Sequence, residues 1–247
     1  MQVSFDNKQI IMLDEVESTN SFASSLPTEL PEGSVIVSQF QTNGRGQGSN
    51  FWESEKNKNL TFSVLLQPAF VKAVDQFYLS KVISLSLSDL ISLYVENVQI
   101  KWPNDIYVGD KKIGGILIEN SIEKDYISHC TVGIGLNINQ EQFTSDAPNP
   151  VSLIQLTGET YDKDELLEIY LSVLEYRYNM LLNKEYTTID QNYLDLLFQY
   201  NTLAKYQFEG EIFTGTIIGV ENTGELIILD QDGQKRNFWY KEVTFLK

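Results

Sequence analysis

The chain of 247 residues has very little cysteine and histidine, and each shortage excludes a type of site. Its single cysteine, Cys130, permits no internal disulfide. Neither it nor the single histidine, His129, has partners spaced like the ligands of a metal site. Adjacent residues of a strand point to opposite faces, which argues against a cysteine and histidine nucleophile pair. We therefore expect no protein-held metal and a structural or surface role for both residues.

Basic residues are also scarce, since 18 Lys and Arg stand against 34 Asp and Glu, a formal net charge of -16. No cluster of basic residues offsets this surplus along the sequence, and an acidic surface repels nucleic-acid phosphates. A protein that reads DNA would also need a recognition helix, whereas the first predicted strand, Gln9 to Leu13, begins almost at the N-terminus. We therefore expect no binding to operator DNA.

Long apolar runs are missing, because none approaches the roughly 20 residues that cross a bilayer. The N-terminus lacks the basic start and apolar stretch of a secretory signal. These absences predict a cytoplasmic protein without membrane association. A hydrophobic content of 42% nevertheless supports a substantial core, which suits one large domain, alone or with a small second one.

Helix and strand patterns are mixed over most of the chain and give way to short strands near residue 200. Helical patterns cover about 18 to 26, 74 to 97, 164 to 182 and 189 to 200. Strand patterns cover about 34 to 40, 60 to 66, 98 to 102, 105 to 108, 113 to 118 and 132 to 138. We predict an α+β protein with a first domain at 1–200 and a small β-barrel domain at 201–247 that packs on it.

A glycine-rich loop from Gln41 to Trp52 has the composition of an anion site. Gly44, Gly46 and Gly48 alternate along it, which allows the backbone to approach a ligand closely and to present several amide donors. Arg45 adds a fixed cation. The loop matches neither a phosphate-binding loop with Gly-Lys-Ser nor a Gly-x-Gly-x-x-Gly turn, so on its own a flexible hairpin loop is the commoner interpretation.

Lys101 ends an apolar strand and is followed at once by Trp102, Pro103, Asn104 and Asp105. Pro103 removes a backbone donor and biases Trp102 toward an extended conformation, and the next two residues favour a turn. Taken alone, the segment is most simply a solvated lysine at a strand end beside a tryptophan in the core. A lysine held in a cleft at this point would instead bind an anion.

Together these segments resemble the biotin protein ligase family, in the form without an N-terminal DNA-binding domain. The matching motifs follow the family's order and approximate spacing through the first domain. They are Ser18-Thr19-Asn20, Gln41, Gly44-Arg45-Gly46, Trp52, Lys101-Trp102-Pro103-Asn104-Asp105, Gly114-Gly115-Ile116-Leu117-Ile118-Glu119 and Gly133-Ile134-Gly135-Leu136-Asn137. The resemblance implies a catalytic domain like that of class II aminoacyl-tRNA synthetases, with a mixed, mostly antiparallel sheet, and a C-terminal SH3-like β-barrel.

The resemblance also implies an ATP-dependent biotin-[acetyl-CoA-carboxylase] ligase reaction in two steps. Biotin and MgATP would form biotinyl-5′-adenylate and pyrophosphate, and a lysine of a biotin carboxyl carrier protein would then attack the mixed anhydride and release AMP. Two anions that must meet need a cation between them, for which Lys101 is the first candidate and Arg45 the second. The oligomeric state, monomer or homodimer, stays open.

The family's motifs assign ligand contacts to particular residues. By this analogy Ser18, Thr19 and Gln41 would bond the ureido ring of biotin, because a planar urea needs paired donors and acceptors. The implied biotin site further includes Asn20, Gly44, Arg45, Gly46, Gln47, Trp52, Lys101, Gly115 and Gly133. The implied nucleotide site includes Arg45, Gln47, Lys101, Asn104, Gly135 and Asn137. For the strand glycines, plain sheet packing is an alternative explanation.

The loop departs from the family's commonest pattern. Many members place a second arginine two residues after the first and often another basic residue further on, where this chain has Gln47 and Asn50. We hypothesise that Gln47 and backbone donors hold the adenylate, with greater reliance on Arg45 and Lys101. Two other functions stay open: a lipoate or octanoate transferase, whose Arg-Arg-Gly-Gly-Gly loop is absent here, and a non-catalytic biotin or nucleotide-binding module.

Overall fold

A computed structural model of the protein describes residues 2–26, 30–145 and 149–246, and these residues form two β-sheets and five α-helices. The strands are β1 Ile10–Leu13, β2 Val35–Ser38, β3 Leu60–Leu66, β4 Val98–Lys101, β5 Asp105–Val108, β6 Lys111–Glu123, β7 Tyr126–Leu136, β8 Leu203–Phe208, β9 Glu211–Val220, β10 Leu226–Asp230, β11 Lys235–Phe238 and β12 Val243–Phe245. The helices are α1 Thr19–Ala23, α2 Phe77–Ser92, α3 Leu153–Thr157, α4 Lys163–Leu182 and α5 Tyr186–Leu196.

The first sheet has seven strands in the order β1-β2-β3-β7-β6-β5-β4. Strands β1 and β2 run parallel, and the remaining neighbours are antiparallel. In the central pair β6 and β7, Gly115 lies opposite Gly135, and Gly133 is two residues away along β7. Residues at this spacing share a face of the sheet, so the three glycines leave room for other groups above its centre.

Helix α2 packs on the opposite face of the first sheet, where Leu87 approaches Gly114. The helix is buried on most sides because α4 and α5 pack against it. Its serines remain compatible with burial when they bond to the preceding turn, as Ser84 does by donating to the carbonyl of Ser80 at 2.6 Å. Ser84 is thus paired within the helix, whereas Oγ of Ser88, one turn further on, is buried without a hydrogen-bond partner among the described residues.

Helix α2 also contains a buried lysine, Lys81, whose side chain is only 4% exposed. Its Nζ lies 2.6 Å from Oδ1 of Asp190 in α5 and 4.5 Å from the ring centroid of Tyr78. A buried cation needs such compensation, because desolvation of an unpaired charge is costly. Lys81 therefore joins two helices, and we assign it a structural role.

The second sheet has five antiparallel strands in the order β11-β10-β9-β8-β12. It packs on the first part of the chain through the buried Trp102, whose Nε1 donates to the carbonyl of Gly224 at 2.9 Å. Beside this contact, the amide of Phe198 donates to the carbonyl of Ile100 at 2.9 Å. The bond between Trp102 and Gly224 therefore links the second sheet to the turn that follows β4.

The predicted α+β class is confirmed, and the elements differ from expectation mainly at their ends. Helix α2 begins after a separate 3-10 turn at Ala73–Asp75, and it ends before Asn97, which adopts a left-handed φ of 59°. Helix α3 was not predicted, although Ser152 and Gln155 form the capping box that marks its start. The boundary at 200/201 and the class II and SH3-like assignments stay predictions.

The helices also bear on the predicted absence of membrane spans. Among the residues described, none of the helices combines the length and the apolar composition that crossing a membrane requires. The long helix α4 spans 20 residues but begins with Lys163, Asp164 and Glu165, and charged residues are costly inside a membrane.

Replacing Trp102 tests its role as the link between the two sheets. Trp102→Phe should lower the free energy of unfolding by about 1–3 kcal/mol, because it leaves a buried carbonyl unpaired. Urea denaturation followed by circular dichroism measures the change. The matched control is Trp239→Phe, since Trp239 is 50% exposed and its replacement should cost less than about 0.5 kcal/mol. Equal losses in both variants would contradict this role.

Candidate functional site

A cavity of about 400 Å³ lies above the glycine-bearing face of the first sheet and is lined by both sheets. Gly115, Gly133 and Gly135 contribute to its lining from β6 and β7. The N-terminus of α1, the loop at 41–52 and the turn after β4 surround them. The segment 240–245, which leads into β12, adds side chains from the second sheet. The cavity therefore exists only because the two sheets pack together.

Positive charge is concentrated in this cavity. Four basic side chains and one carboxylate line it, whereas the whole chain has a net charge of -16. The basic residues are Arg45, Lys101, Lys112 and Lys241, and the carboxylate is Asp105. A concave site whose charge is opposite to that of the whole protein attracts an anionic ligand.

Lys101 lies among aromatic rings inside the cavity. Its Nζ is 3.5 Å from the hydroxyl of Tyr107, and it lies 4.9 Å and 5.3 Å from the ring centroids of Tyr107 and Phe245. Burial, with the charge of Asp105, raises the pKa of Tyr107 to about 12, so this phenol stays protonated at neutral pH and adds no negative charge. Lys101 is thus a partly buried cation and not a solvated lysine at a strand end.

Lys112 is a second lysine of the cavity, and the sequence analysis missed it. Its Nζ lies 2.6 Å from Oδ1 of Asp105 and 5.5 Å from the ring centroid of Trp52. Strict alternation along β6 would place Lys112 on the face opposite to Gly115. The pairing of β5 with β6 shifts register beside Lys112, and its side chain comes to lie against Gly115. No sequence signal marks this bulge, so periodicity could not have found the residue.

The predicted residues of α1 meet Gln41 in a buried polar network at one end of the cavity. Oε1 of Gln41 accepts from the amide of Thr19 at 2.8 Å and from its hydroxyl at 3.2 Å. The hydroxyl of Ser63 lies 2.7 Å from that of Thr19 and 2.6 Å from Oδ1 of Asn20. Ser18, 3% exposed, precedes them at the helix start. These groups suit a neutral ligand part with paired donors and acceptors.

Arg45 of the glycine-rich loop is paired with a carboxylate of β6. Its Nη2 lies 2.8 Å from Oε1 of Glu119, and the amide of Asn20 donates to the other carboxylate oxygen at 2.8 Å. Glu119 therefore connects the loop to the network of α1. Both charged side chains are more than a third exposed, so the pair contributes little to stability and can exchange for another anion.

Trp52 occupies the space above the strand glycines. A methyl group on Gly135 would overlap its indole, and one on Gly115 would come within 2.9 Å of it. Gly133 likewise accommodates the side-chain amide of Asn20. Side chains of the protein itself thus explain the three glycines. The indole Nε1 of Trp52 is buried and has no hydrogen-bond partner among the residues described.

Two of the predicted contact residues do not line the cavity. Asn137 is 3% exposed and donates to the carbonyl of Val151 at 3.0 Å, so its amide fixes the chain after β7. Gly44 is buried beside Trp52, whose amide donates to its carbonyl at 2.9 Å. Contacts within the protein hold both residues in this conformation, and their ligand contacts stay predictions.

Other predicted residues lie between this cavity and a second one of about 210 Å³. Asn104, Gln47 and Trp102 line both cavities, whereas Trp239 and Asn120 line the second. Asn104 bonds β6 twice, by donating to the carbonyl of Ile116 at 2.6 Å and by accepting from its amide at 2.9 Å. The two cavities therefore adjoin across a rigid turn.

The polar network and the ion pair should differ in their effect on stability. Asn20→Ala should lower the free energy of unfolding by about 1–3 kcal/mol, because buried partners lose their bonds. Glu119→Ala should lower it by less than about 1 kcal/mol, because the ion pair is exposed to solvent. Urea denaturation at low and high salt separates the two. A larger loss for the Glu119 variant would show that Arg45 is held more firmly than its exposure indicates.

Comparison with known proteins agrees with this geometry. Residues 13–137 match the model of the biotin/lipoate A/B protein ligase family. The bifunctional ligase/repressor BirA of Bacillus spizizenii is 29% identical over 243 residues, which cover 93% of this chain and 72% of that protein. A biotin-[acetyl-CoA-carboxylase] ligase of Paracoccus denitrificans is 30% identical, over 64% of this chain and 68% of that protein.

The fold is also similar to that of solved ligases. A structure of the biotin protein ligase from Aquifex aeolicus in complex with biotin and ATP superposes with a TM-score of 0.81 and 27% sequence identity. The match covers 97% of this chain and 99% of that one. Since the family model spans half of the sequence and the same fold extends over nearly all of it, the chain belongs to the biotin/lipoate A/B protein ligase family.

Proposed function

We propose that the protein is a biotin protein ligase, which activates biotin with MgATP and transfers it to a lysine of a biotin carboxyl carrier protein. The observation that carries this proposal is the gradient along the cavity, from the neutral polar network of Thr19 and Gln41 to the cations at Lys101 and Lys112. Biotin has a neutral urea at one end and a carboxylate at the other. Its two ends match the two ends of this gradient.

In the first step, a carboxylate oxygen of biotin attacks the α-phosphorus of ATP, and pyrophosphate leaves. Both reactants are anions, so cations must offset their repulsion and the charge that develops at phosphorus. Lys101 and Lys112 both adjoin Asp105, and their ammonium groups are the cations that we propose for this role. Arg45 supplements them when its ion pair with Glu119 exchanges for the phosphate.

In the second step, the amine of the carrier lysine attacks the carbonyl carbon of the anhydride, and AMP leaves. A cation near the carbonyl oxygen polarises it, and the adenylate is already activated, so the protein needs no nucleophile of its own. This requirement agrees with Cys130, which is buried and whose pKa is raised by that burial. A thiol in this state is unreactive.

The second cavity is the proposed site for adenine. Trp239 offers an aromatic surface there, and the amides of Asn104 and Asn120 offer polar edges, which suits a planar heterocycle. Among the described residues, no three His, Cys, Asp or Glu side chains are grouped as metal ligands. We propose that Mg²⁺ enters as part of the substrate, held mainly by phosphate oxygens and water.

A lipoate transferase of the same family is the alternative enzyme. The dithiolane ring of lipoate has no amide donors or acceptors to offer the buried network of Ser18, Thr19 and Gln41. The donors and acceptors that those groups present to the ligand would then have no partner. A polar site discriminates strongly against a ligand that leaves its groups unpaired. The network therefore favours biotin.

Docking of the carrier must work against the overall charge of -16 if the carrier is also acidic. We propose that it uses a local patch around the cavity instead of long-range attraction. The absence of operator binding, the cytoplasmic location and the monomeric or homodimeric state stay predictions.

One transfer assay tests the proposed function. The purified protein, incubated with biotin, MgATP and a carrier domain, should add one biotin to the carrier lysine, as detected by intact-mass spectrometry. Lipoate in place of biotin should give less than about 1% of the product, because an unmatched polar site rejects such analogues by about 10⁴-fold or more. A carrier with its target lysine changed to arginine is the control. Binding of biotin with neither adenylate formation nor transfer would favour a non-catalytic sensor.

The role of Lys101 is tested by its replacement. Lys101→Ala should slow pyrophosphate release by about 10²-fold or more, because a preorganised charge is lost from the reacting centre. Lys205→Ala is the matched control, since Lys205 is an exposed lysine on a strand outside the cavity. Adenylation at a near wild-type rate in the Lys101 variant would contradict the assigned role.

A further inference from the structure

Lys241 reaches from the second sheet to the glycine-rich loop of the first part of the chain. A Cβ atom placed on Gly48 would lie 2.8 Å from Nζ of Lys241, so the ammonium rests against the loop at a position without a side chain. Beside it, Nδ2 of Asn50 donates to the hydroxyl of Tyr240 at 3.4 Å. Lys241, Asn50 and Tyr240 all line the larger cavity. These two contacts therefore join the loop to the C-terminal sheet at the cavity wall.

Lys241 differs from two other cations of the cavity in its pairing with carboxylates. Arg45 is paired with Glu119 at 2.8 Å and Lys112 with Asp105 at 2.6 Å, so a ligand anion must share or displace a carboxylate at each. Within the part of the chain that the structure describes, Lys241 forms no ion pair. Its ammonium can donate to a ligand without breaking an existing pair.

A tight turn fixes the direction of this side chain. The carbonyl of Trp239 accepts from the amide of Glu242 at 3.1 Å, and the carboxylate of Glu242 accepts from the amide of Trp239 at 2.7 Å. Lys241 lies within this turn at a left-handed φ of 71°. Because two bonds close the turn, the lysine leaves the backbone in a defined direction, toward the loop.

The facing loop supplies no charge of its own at this point. Gly46 and Gly48 have no side chains, and Gln47 between them is neutral. The Oε1 atom of Gln47 is buried without a hydrogen-bond partner among the described residues, and Nε2 of the same amide is the group that would donate to a phosphate. A ligand phosphate at this point would lie between the neutral side-chain amide of Gln47 and the ammonium group of Lys241.

We propose that Lys241 is a binding residue for the phosphate of the adenylate intermediate. The inference rests on the proposed function and deepens it, since it makes the C-terminal sheet part of the ligand site. The adenylate phosphate has one negative charge, to which the ammonium donates a charge-assisted hydrogen bond. That bond slows the escape of the intermediate before the carrier arrives.

Lys241→Met tests the proposal, because it removes the charge and keeps a long side chain and the β-carbon. With biotin and MgATP labelled at the α-phosphate, release of labelled adenylate should become about tenfold faster, the effect of one charged hydrogen bond. KM for MgATP should rise in proportion, while KM for biotin stays within about twofold. A merely structural loosening of the loop would raise both KM values.

The matched control is Lys184→Met, since Lys184 is also an exposed lysine with a left-handed φ, 60°, and lies outside the cavity. The Lys184→Met variant should release labelled adenylate at the same rate as the unmodified protein. In the Lys241→Met background, Gln47→Arg should restore slow release, because the guanidinium enters the same space. An arginine that leaves release fast would overturn the proposed position of the phosphate.

Two further outcomes separate this inference from the proposed function. If the unmodified protein forms adenylate and the Lys241→Met variant releases it at the same rate, the inference alone is overturned. If the unmodified protein forms no adenylate from biotin and MgATP, the proposed function fails and the inference with it.

Discussion

Repulsion between like charges is the constraint on which the arrangement of the cavity depends. The protein is strongly acidic, yet its proposed ligands are anions, so positive charge must be gathered in one place. Separate segments contribute that charge: β4 ends at Lys101, a shift in strand register turns Lys112 inward, and a tight turn of the second sheet directs Lys241 at the loop. Lys101 and Lys112 meet within the first sheet beside Asp105, whereas Lys241 joins them only because the two sheets pack together.

Trp102 connects this electrostatic arrangement to stability. Its bond to Gly224 holds the second sheet against the turn after β4, and the same packing brings Phe245 beside the ammonium of Lys101. The rings of Tyr107 and Phe245 stabilise that cation inside the cavity, and the buried Lys81 is stabilised separately by its pair with Asp190.

Local patterns predicted the strands, the main helices and several residues of the cavity, because alternation, turn formers and capping residues act over a few positions. Lys101 and Arg45 could be found because each stands beside an abrupt change in pattern. Lys112 could not, since a bulge decides which way it points. The pattern around Ser63 predicts only a buried strand and not its hydrogen bond to Thr19. Lys241 reaches the cavity through its contact with Gly48, about 190 positions away in the sequence. Such long-range contacts leave no local signal.

Two stable analogues of the intermediate that differ by one charge test directly whether the cavity is organised to bind an anion. Isothermal titration would measure the affinity for biotinol-adenylate, which has a charged phosphodiester, and for the same molecule with a neutral linker. The charged analogue should bind at least about tenfold more tightly, a difference of about 1.4 kcal/mol, and added salt should reduce that difference. Equal affinities, unchanged by salt, would contradict a cavity organised around an anion.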